Sequence, residues 1–335
     1  MSFSPEQLEK RRHGIGASEM AAIAGLNPYK TALDTFMEKT GMVSPMADNQ
    51  FTRWGNRLEA VIADEYAEQV GVRLAKSDTI WHKTEPFFCT PDRLVPGEVG
   101  DALPCLPIPV QHHLGADAAV EPFPIRWALE CKSRGARQAD KWGESGSDQV
   151  PHDVAIQCHW SMMVTDLPRW DVAVLIGGND FRVYTLFEDK EIQAGLVETA
   201  RWFWGCVQAN EPPELDGSES AHTYLRLKVP SHDADLIEST PELDAVLGDL
   251  RMGQMELKAA EDRVSRAQVA IKASIGDHYG LRSALAKVTW GLNKSGGIDY
   301  SALLKELLPD VAPEVVAKYK RPGSRVLRIK FSGED

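Results

Sequence analysis

Two short apolar runs, each closing on an acid, constrain this chain most. Phe87-Phe88-Cys89-Thr90-Pro91-Asp92 stops at a Pro-Asp turn, and Trp127-Ala128-Leu129-Glu130-Cys131-Lys132 ends with an acid and a lysine flanking one residue. Runs of this length, apolar and bounded by turn residues, are predicted strands. Side chains alternate along a strand, so Glu130 and Lys132 share one face while Cys131 turns into the core. Both acids sit where apolar strands stop.

The surrounding pattern predicts a mixed sheet flanked by helices, an α/β (α+β) architecture. A helical segment reaches about Tyr66, and strands lie near Ile80 and Phe88. A largely apolar helix runs from about Val154 to Val164, and Asp171 to Ile176 is a strand. Gly177-Gly178-Asn179-Asp180 is a hairpin turn, and Phe181 to Leu186 alternates as the returning strand. Asp189 to Gln208 is an aromatic-rich helix. Between the two acids, Pro96, Pro104, Pro107, Pro109, Pro122 and Pro124 punctuate residues 93–129, with Gln111-His112-His113 between them, so a long irregular loop is expected there.

At 335 residues the chain exceeds the usual single domain. Asn210-Glu211-Pro212-Pro213-Glu214 and Asp216-Gly217-Ser218-Glu219-Ser220 break the pattern, which places a boundary between residues 1–214 and an extension, 215–335. In the extension a long helix begins near Pro241. Leu243, Leu250, Leu257, Val264 and Ile271 recur every seven residues, beside Val246, Gly253, Ala260, Ala267 and Ser274. One large and one small stripe suit close approach of a partner helix, in a helical hairpin or a subunit contact, although Gln254, Glu261 and Gln268 interrupt a strict coiled coil. Strands at 284–290 and 324–330 and a helix at 300–308 follow. Lys318, Lys320, Arg321, Arg325, Arg328 and Lys330 make the tail basic.

The acids and the lysine suit one chemistry. Asp92 and Glu130 offer hard oxygen ligands to Mg²⁺, which keeps several waters and a substrate phosphate in its octahedral shell, and the backbone carbonyl of Cys131 is a further ligand candidate. Lys132 orients the attacking water, or deprotonates it if burial and the metal depress its pKa. The metal offsets charge on the scissile phosphate. The pattern points to phosphodiester cleavage.

Four blocks, in order and at comparable spacing over about residues 10–190, resemble the lambda-exonuclease and YqaJ-type viral recombinase group of the PD-(D/E)xK nucleases. They are Arg11-Arg12-His13-Gly14-Ile15-Gly16-Ala17-Ser18 running on to Glu38-Lys39-Thr40-Gly41; Trp54-Gly55-Asn56-Arg57-Leu58-Glu59; Thr90-Pro91-Asp92 with Glu130-Cys131-Lys132; and Gln157 to Thr165. The resemblance implies a restriction-endonuclease-like fold. It implies that Asp92, Glu130 and Lys132 are catalytic, that Glu59 helps hold a metal through water, and that Gln157 stands behind the site. It also implies that Arg11 or Arg12, Ser18 and Thr90 bind a 5′-phosphate. Arginine grips phosphate bidentately and a hydroxyl adds a donor. Ser18 reads equally as the N-cap of the following helix.

This chain departs from the family pattern at Arg93, where glycine is frequent, and at Ser133-Arg134 after Lys132. Arg93 and Arg134 are further phosphate-contact candidates. What the resemblance implies is a Mg²⁺-dependent 5′-to-3′ exonuclease on linear double-stranded DNA, with Mn²⁺ able to substitute, acting in phage or mobile-element recombination. Its expected partners are DNA ends, a single-strand annealing protein and further copies of itself. An endonuclease of the same class, used in restriction or defence, and a DNA-end-binding module with a silent site remain the alternatives.

The net charge of -12 argues against broad coating of duplex DNA, which needs many Lys and Arg contacts. Residues 1–214 carry 20 Lys and Arg against 31 Asp and Glu, so a positive channel has to be local. The five cysteines form no Cys-x-x-Cys pair, so neither zinc nor an iron–sulfur cluster is expected. A polar start and the lack of a long apolar run point to a cytoplasmic setting without membrane contact.

Overall fold

A computed structural model describes residues 9, 11–44, 49–98, 102–110, 119–232, 235–291, 302, 303 and 306. The chain divides into two compact units, Met1–Val229 and Pro230–Asp335.

The first unit is built on a mixed sheet. Strand β4 (Arg93–Pro96) pairs antiparallel with β6 (Ala119–Arg134), β6 runs parallel to β7 (Arg169–Ile176), and β7 is antiparallel to β8 (Asp180–Phe187). Gly177 and Gly178 both take positive φ, +64° and +89°, in the turn that joins β7 to β8. They are the two central residues of a tight turn in which the Asn179 amide donates to the Ile176 carbonyl at 3.4 Å, and glycine adopts positive φ there without steric cost. A smaller sheet holds β1 (Ile15–Gly16), β3 (Phe87–Cys89) and β2 (Ile80–Trp81), with β3 in the centre.

Helices cover both faces of the central sheet. Helix α3 (Gln50–Val70) starts at Asn49, whose side chain accepts from the Phe51 and Thr52 amides, and stops at Gly71 in the left-handed region. Its Ile62, Ala63 and Tyr66 pack on Leu129 and Ala173, with Cys131 partly buried beside them. On the opposite face lies α4 (His152–Thr165), buried on most sides. It packs on β3, on α1 (Ala17–Ile23) and on α5 (Lys190–Ala209). A helix covered this way needs no amphipathic stripe, which is why its sequence is apolar nearly throughout.

Two expectations are revised. Residues 93–129 are not one irregular loop: β4 begins at Arg93, and β5 (Cys105–Val110) pairs antiparallel with the first part of β6, from Cys105 opposite Pro124 to Val110 opposite Ala119. Prolines lack the ladder donor, so they masked the strands; β5 tolerates them as an edge strand with no partner on its other side among the described residues. Gln111, His112 and His113 lie outside the described residues.

The boundary also moves, from 214/215 to 229/230. Helix α6 (Glu219–Lys228) follows the polar linker and belongs to the first unit, because Ala221 and Tyr224 are buried and the Tyr224 ring meets Phe36 of α2 (Ala32–Lys39) edge-on at 6.2 Å.

In the second unit α7 (Pro241–Ile275) is capped by Thr240, whose side chain accepts from the Leu243 amide, with Pro241 in the first turn. A short hairpin follows, β9 (Gly280–Arg282) against β10 (Lys287–Thr289). The expected strand at 324–330 and the basic tail lie outside the described residues. Among the described residues no helix is long and apolar enough to cross a membrane.

Candidate active site

Register explains how acids far apart in sequence meet. Arg93 of β4 lies opposite Leu129 of β6, so Asp92, just before β4, is level with Glu130. The Asp92 Oδ2 accepts the Cys131 amide at 2.7 Å. From α4, Gln157 Nε2 donates to Glu130 Oε1 at 2.6 Å, and its own Oε1 accepts from Lys132 Nζ at 2.8 Å. Lys132 Nζ also donates to Glu130 Oε1 at 2.6 Å. Glu130, Lys132 and Gln157 therefore form one bonded cluster, with Asp92 held beside it through the Cys131 amide, and the half-buried glutamine has the partners that burial demands.

The cluster lies at one side of an open groove of about 390 Å³, which Glu59, Asn56 and Phe51 of α3 and Arg134 also line. Burial, and next the charge of Glu130, push the Asp92 carboxyl well above the ordinary carboxylate range. Burial alone would lower the Lys132 ammonium. Glu130 and Asp92 outweigh it and hold its pKa above the usual lysine value. In this arrangement Lys132 is a charged donor, able to orient water and face a phosphate; the base role expected of it depends on a metal ion as well as on burial.

Among the described residues no three His, Cys, Asp or Glu side chains gather as a ready-made metal cage. Mg²⁺ does not need one, since one or two carboxylates plus waters and a phosphate complete its shell. Asp92 Oδ1 and Glu130 Oε2 have no protein donor among the described residues, and the two acids repel one another. A divalent cation relieves that repulsion, so the donor set fits.

Arg93 stands differently from its expected role. Arg93 Nη1 donates to Glu59 Oε1 at 2.7 Å and to the Asp92 carbonyl at 2.5 Å, and its side chain is only 10% exposed. Arg93 is therefore an internal partner to Glu59 and not a free phosphate contact. The reason is its place as the first residue of β4, facing α3. Arg134 remains on the rim, 3.8 Å from Asp153.

The first block gathers next to β3. Arg11 lies over the Phe88 ring at 5.0 Å, and its Nη2 reaches Ser18 Oγ at 3.4 Å. Arg12 instead pairs with Glu9, so of the two arginines Arg11 is the one that stands beside Ser18. Ser18 is not the N-cap: Gly16 occupies that position, and the Glu19 carboxylate accepts its amide at 2.8 Å. Thr90 is exposed and shares a 2.9 Å hydrogen bond with Thr79.

Two buried groups escaped the sequence reading. Lys39 Nζ donates to the Arg11 carbonyl at 2.6 Å and to Glu19 at 2.9 Å, which braces the segment bearing Arg11 and Ser18 from below. Its signal was a lysine three residues after Phe36 on the apolar side of α2. Asp171, 1% exposed, accepts from Arg169 Nε and Nη2, Thr185 and Tyr66, and Tyr66 in turn accepts from Trp127 Nε1. An acid in the apolar run Trp170 to Ile176 signals such a network, which pins α3 to the sheet near the site.

Residues 6–168 match the YqaJ-like viral recombinase domain. Over 228 residues the chain is 28% identical to the uncharacterized protein YqaJ of Bacillus subtilis, covering 66% of this chain and 62% of that protein. An uncharacterized protein of Acanthamoeba polyphaga mimivirus is 21% identical over 224 residues, 66% of this chain and 38% of that one. The chain thus spans less than two thirds of either relative. A crystal structure of an alkaline exonuclease from Laribacter hongkongensis aligns at 13% identity and a TM-score of 0.45, over 62% of this chain and 94% of that one. The match over the arginine–serine block, both acids and the glutamine helix identifies residues 6–168 as a YqaJ-like viral recombinase domain.

Proposed function

We propose that this chain is a Mg²⁺-dependent deoxyribonuclease, a 5′-to-3′ exonuclease on linear double-stranded DNA that serves phage or mobile-element recombination. The observation that carries the reading is the bonded cluster of Glu130, Lys132 and Gln157, with Asp92 held beside it through the Cys131 amide, at an open groove. Asp92 and Glu130 would hold the ion, and the Cys131 carbonyl is the third donor proposed. Bound Mg²⁺, or Mn²⁺ in its place, would polarise the scissile phosphate and lower the pKa of the attacking water.

The protein's own residues do the rest. Gln157 fixes Glu130 and Lys132 in one rotameric arrangement, and the Lys132 ammonium orients water and offsets phosphate charge. Arg11 and Ser18 grip a 5′-terminal phosphate, with Thr90 as an added donor. Glu59, neutralised by Arg93, shapes the groove wall and reaches the ion only through water. Cleavage from a 5′ end leaves a 3′ strand for a single-strand annealing protein.

The test compares linear duplexes with 5′-phosphate or 5′-hydroxyl ends and a covalently closed circle, each with Mg²⁺, for the wild type and Lys132→Ala. The reading expects loss of linear DNA, faster from 5′-phosphate ends, an intact circle and an inert variant. A cut circle would make the chain an endonuclease. Binding without Lys132-dependent cleavage would make it an end-binding module.

A further inference from the structure

Helix α7 has 35 residues and at 1.5 Å per residue is about 52 Å long. Ile275 is its one buried side chain among the described residues, while Leu243, Val246, Leu250, Leu257, Val264 and Ile271 are between 37% and 62% exposed. A contiguous apolar face of that length on a helix marks an association surface.

Its residues select the occupant. Placed antiparallel against a second α7, the heptad stripes set Leu243 against Ser274, Leu250 against Ala267, Leu257 against Ala260, Val264 against Gly253, and Ile271 against Val246 of the second copy. Each larger side chain then meets a smaller one in every layer, the condition for even packing of a helix pair. A parallel pair would stack Leu250 on Leu250 and Gly253 on Gly253, so crowded and hollow layers would alternate.

Charge gives the same answer independently. The first half, 241–257, carries Glu242, Asp244, Asp249 and Glu256 with Arg251; the second half, 258–275, carries Lys258, Arg263, Arg266 and Lys272 with Glu261 and Asp262. The helix dipole explains acids only in the first turn and bases in the last, so it does not account for Asp249, Glu256 or Arg263. In the antiparallel register Glu256 falls beside Arg263 of the second copy, twice by symmetry. A parallel pair would bring Glu256 to Glu261.

We propose that α7 is a self-pairing surface, which joins two copies of this chain through an antiparallel helix pair in the register given above. The contact is isologous, so it closes at two chains. It stands apart from the catalytic reading.

The full-length chain tests it through single-cysteine additions. Leu250→Cys and Ala267→Cys variants, mixed and mildly oxidised, should form an interchain link that peptide mapping places between positions 250 and 267. Neither variant should form it alone. A link in each variant alone, at 250–250 or 267–267, would show parallel pairing. A mixture that stays unlinked, with both thiols labelled freely or with both protected in a monomer by light scattering, would also overturn the proposal. The charge swap gives a second readout that cannot be confused with misfolding. Glu256→Arg should weaken the dimer several-fold, and adding Arg263→Glu should restore it; failure of the double variant to recover would refute the register.

Discussion

Replacing Lys39 with methionine tests whether a buried ion pair holds up the segment that carries Arg11 and Ser18. The Lys39 side chain is 3% exposed and that of Glu19 11%, with Nζ 2.8 Å from Glu19 Oε2. Burial lowers the Lys39 pKa, and Glu19 only partly restores it, so each partner depends on the other. Removing one member of such a pair costs about 3–5 kcal/mol because the remaining charge stays buried. Glu19 would keep the Gly16 amide and Arg11 at 4.0 Å, which places the cost near the lower figure, about 3 kcal/mol. For a unit of this size Tm falls about 2–4 °C per kcal/mol, so the variant should melt about 6–12 °C lower. The double variant Glu19→Gln with Lys39→Met buries no charge and should return to within about 1–2 kcal/mol of the wild type. Urea unfolding followed by tryptophan fluorescence measures both. A cost under about 1 kcal/mol for Lys39→Met, or a double variant as unstable as the single one, would refute the reasoning. Because Lys39 also holds the Arg11 carbonyl, KM should rise for 5′-phosphate ends and stay level for 5′-hydroxyl ends.

Other outcomes follow from the same geometry. Asp92→Asn should abolish cleavage yet stabilise the metal-free protein by about 0.5–2 kcal/mol, since it removes one of two crowded acids; calorimetry in chelator would read a lower Tm if the acids do not repel. Lys132→Ala should cut kcat about 10²–10⁴-fold while DNA binding in a gel shift persists, and unchanged turnover would remove Lys132 from the chemistry. Burial lowers the His159 pKa from 6.5, so the unfolded chain takes up the proton first and stability falls as pH drops through 6.5 toward the folded-state value. The urea midpoint should therefore fall less between pH 7.5 and 5.5 in His159→Gln than in the wild type, and equal slopes would acquit His159. Asp171→Asn weakens the bonds that the buried Asp171 accepts from half-exposed Arg169 and should cost about 1–3 kcal/mol by urea unfolding; a neutral result would contradict the bonding around Asp171.

Much of the site was legible because its signals are local. Alternation alone put Glu130 and Lys132 on one face, and a glutamine in an apolar helix had to find a polar partner, which Glu130 and Lys132 provide. The hairpin at Gly177 and Gly178 and the start of α7 at Thr240 and Pro241 were readable for the same reason. The prolines of β5 and β6 misled, because a rule about lost ladder donors says nothing of which edge is unpaired. The linker before α6 misled too, since whether a helix after a break rejoins the core depends on Tyr224 finding Phe36.

By itself, then, the sequence determined strand faces, turns, caps and the residue types at the carboxylate centre, all of which depend on neighbours within a few positions. Only the tertiary structure decided that Arg11 and not Arg12 meets Ser18, that Arg93 is held by Glu59, and that the Lys132 ammonium is bonded to Glu130 and Gln157. Each of these depends on which side chain reaches a distant partner first and on how much water is excluded around it. Charge and burial act over space, and the chain's own order does not record them.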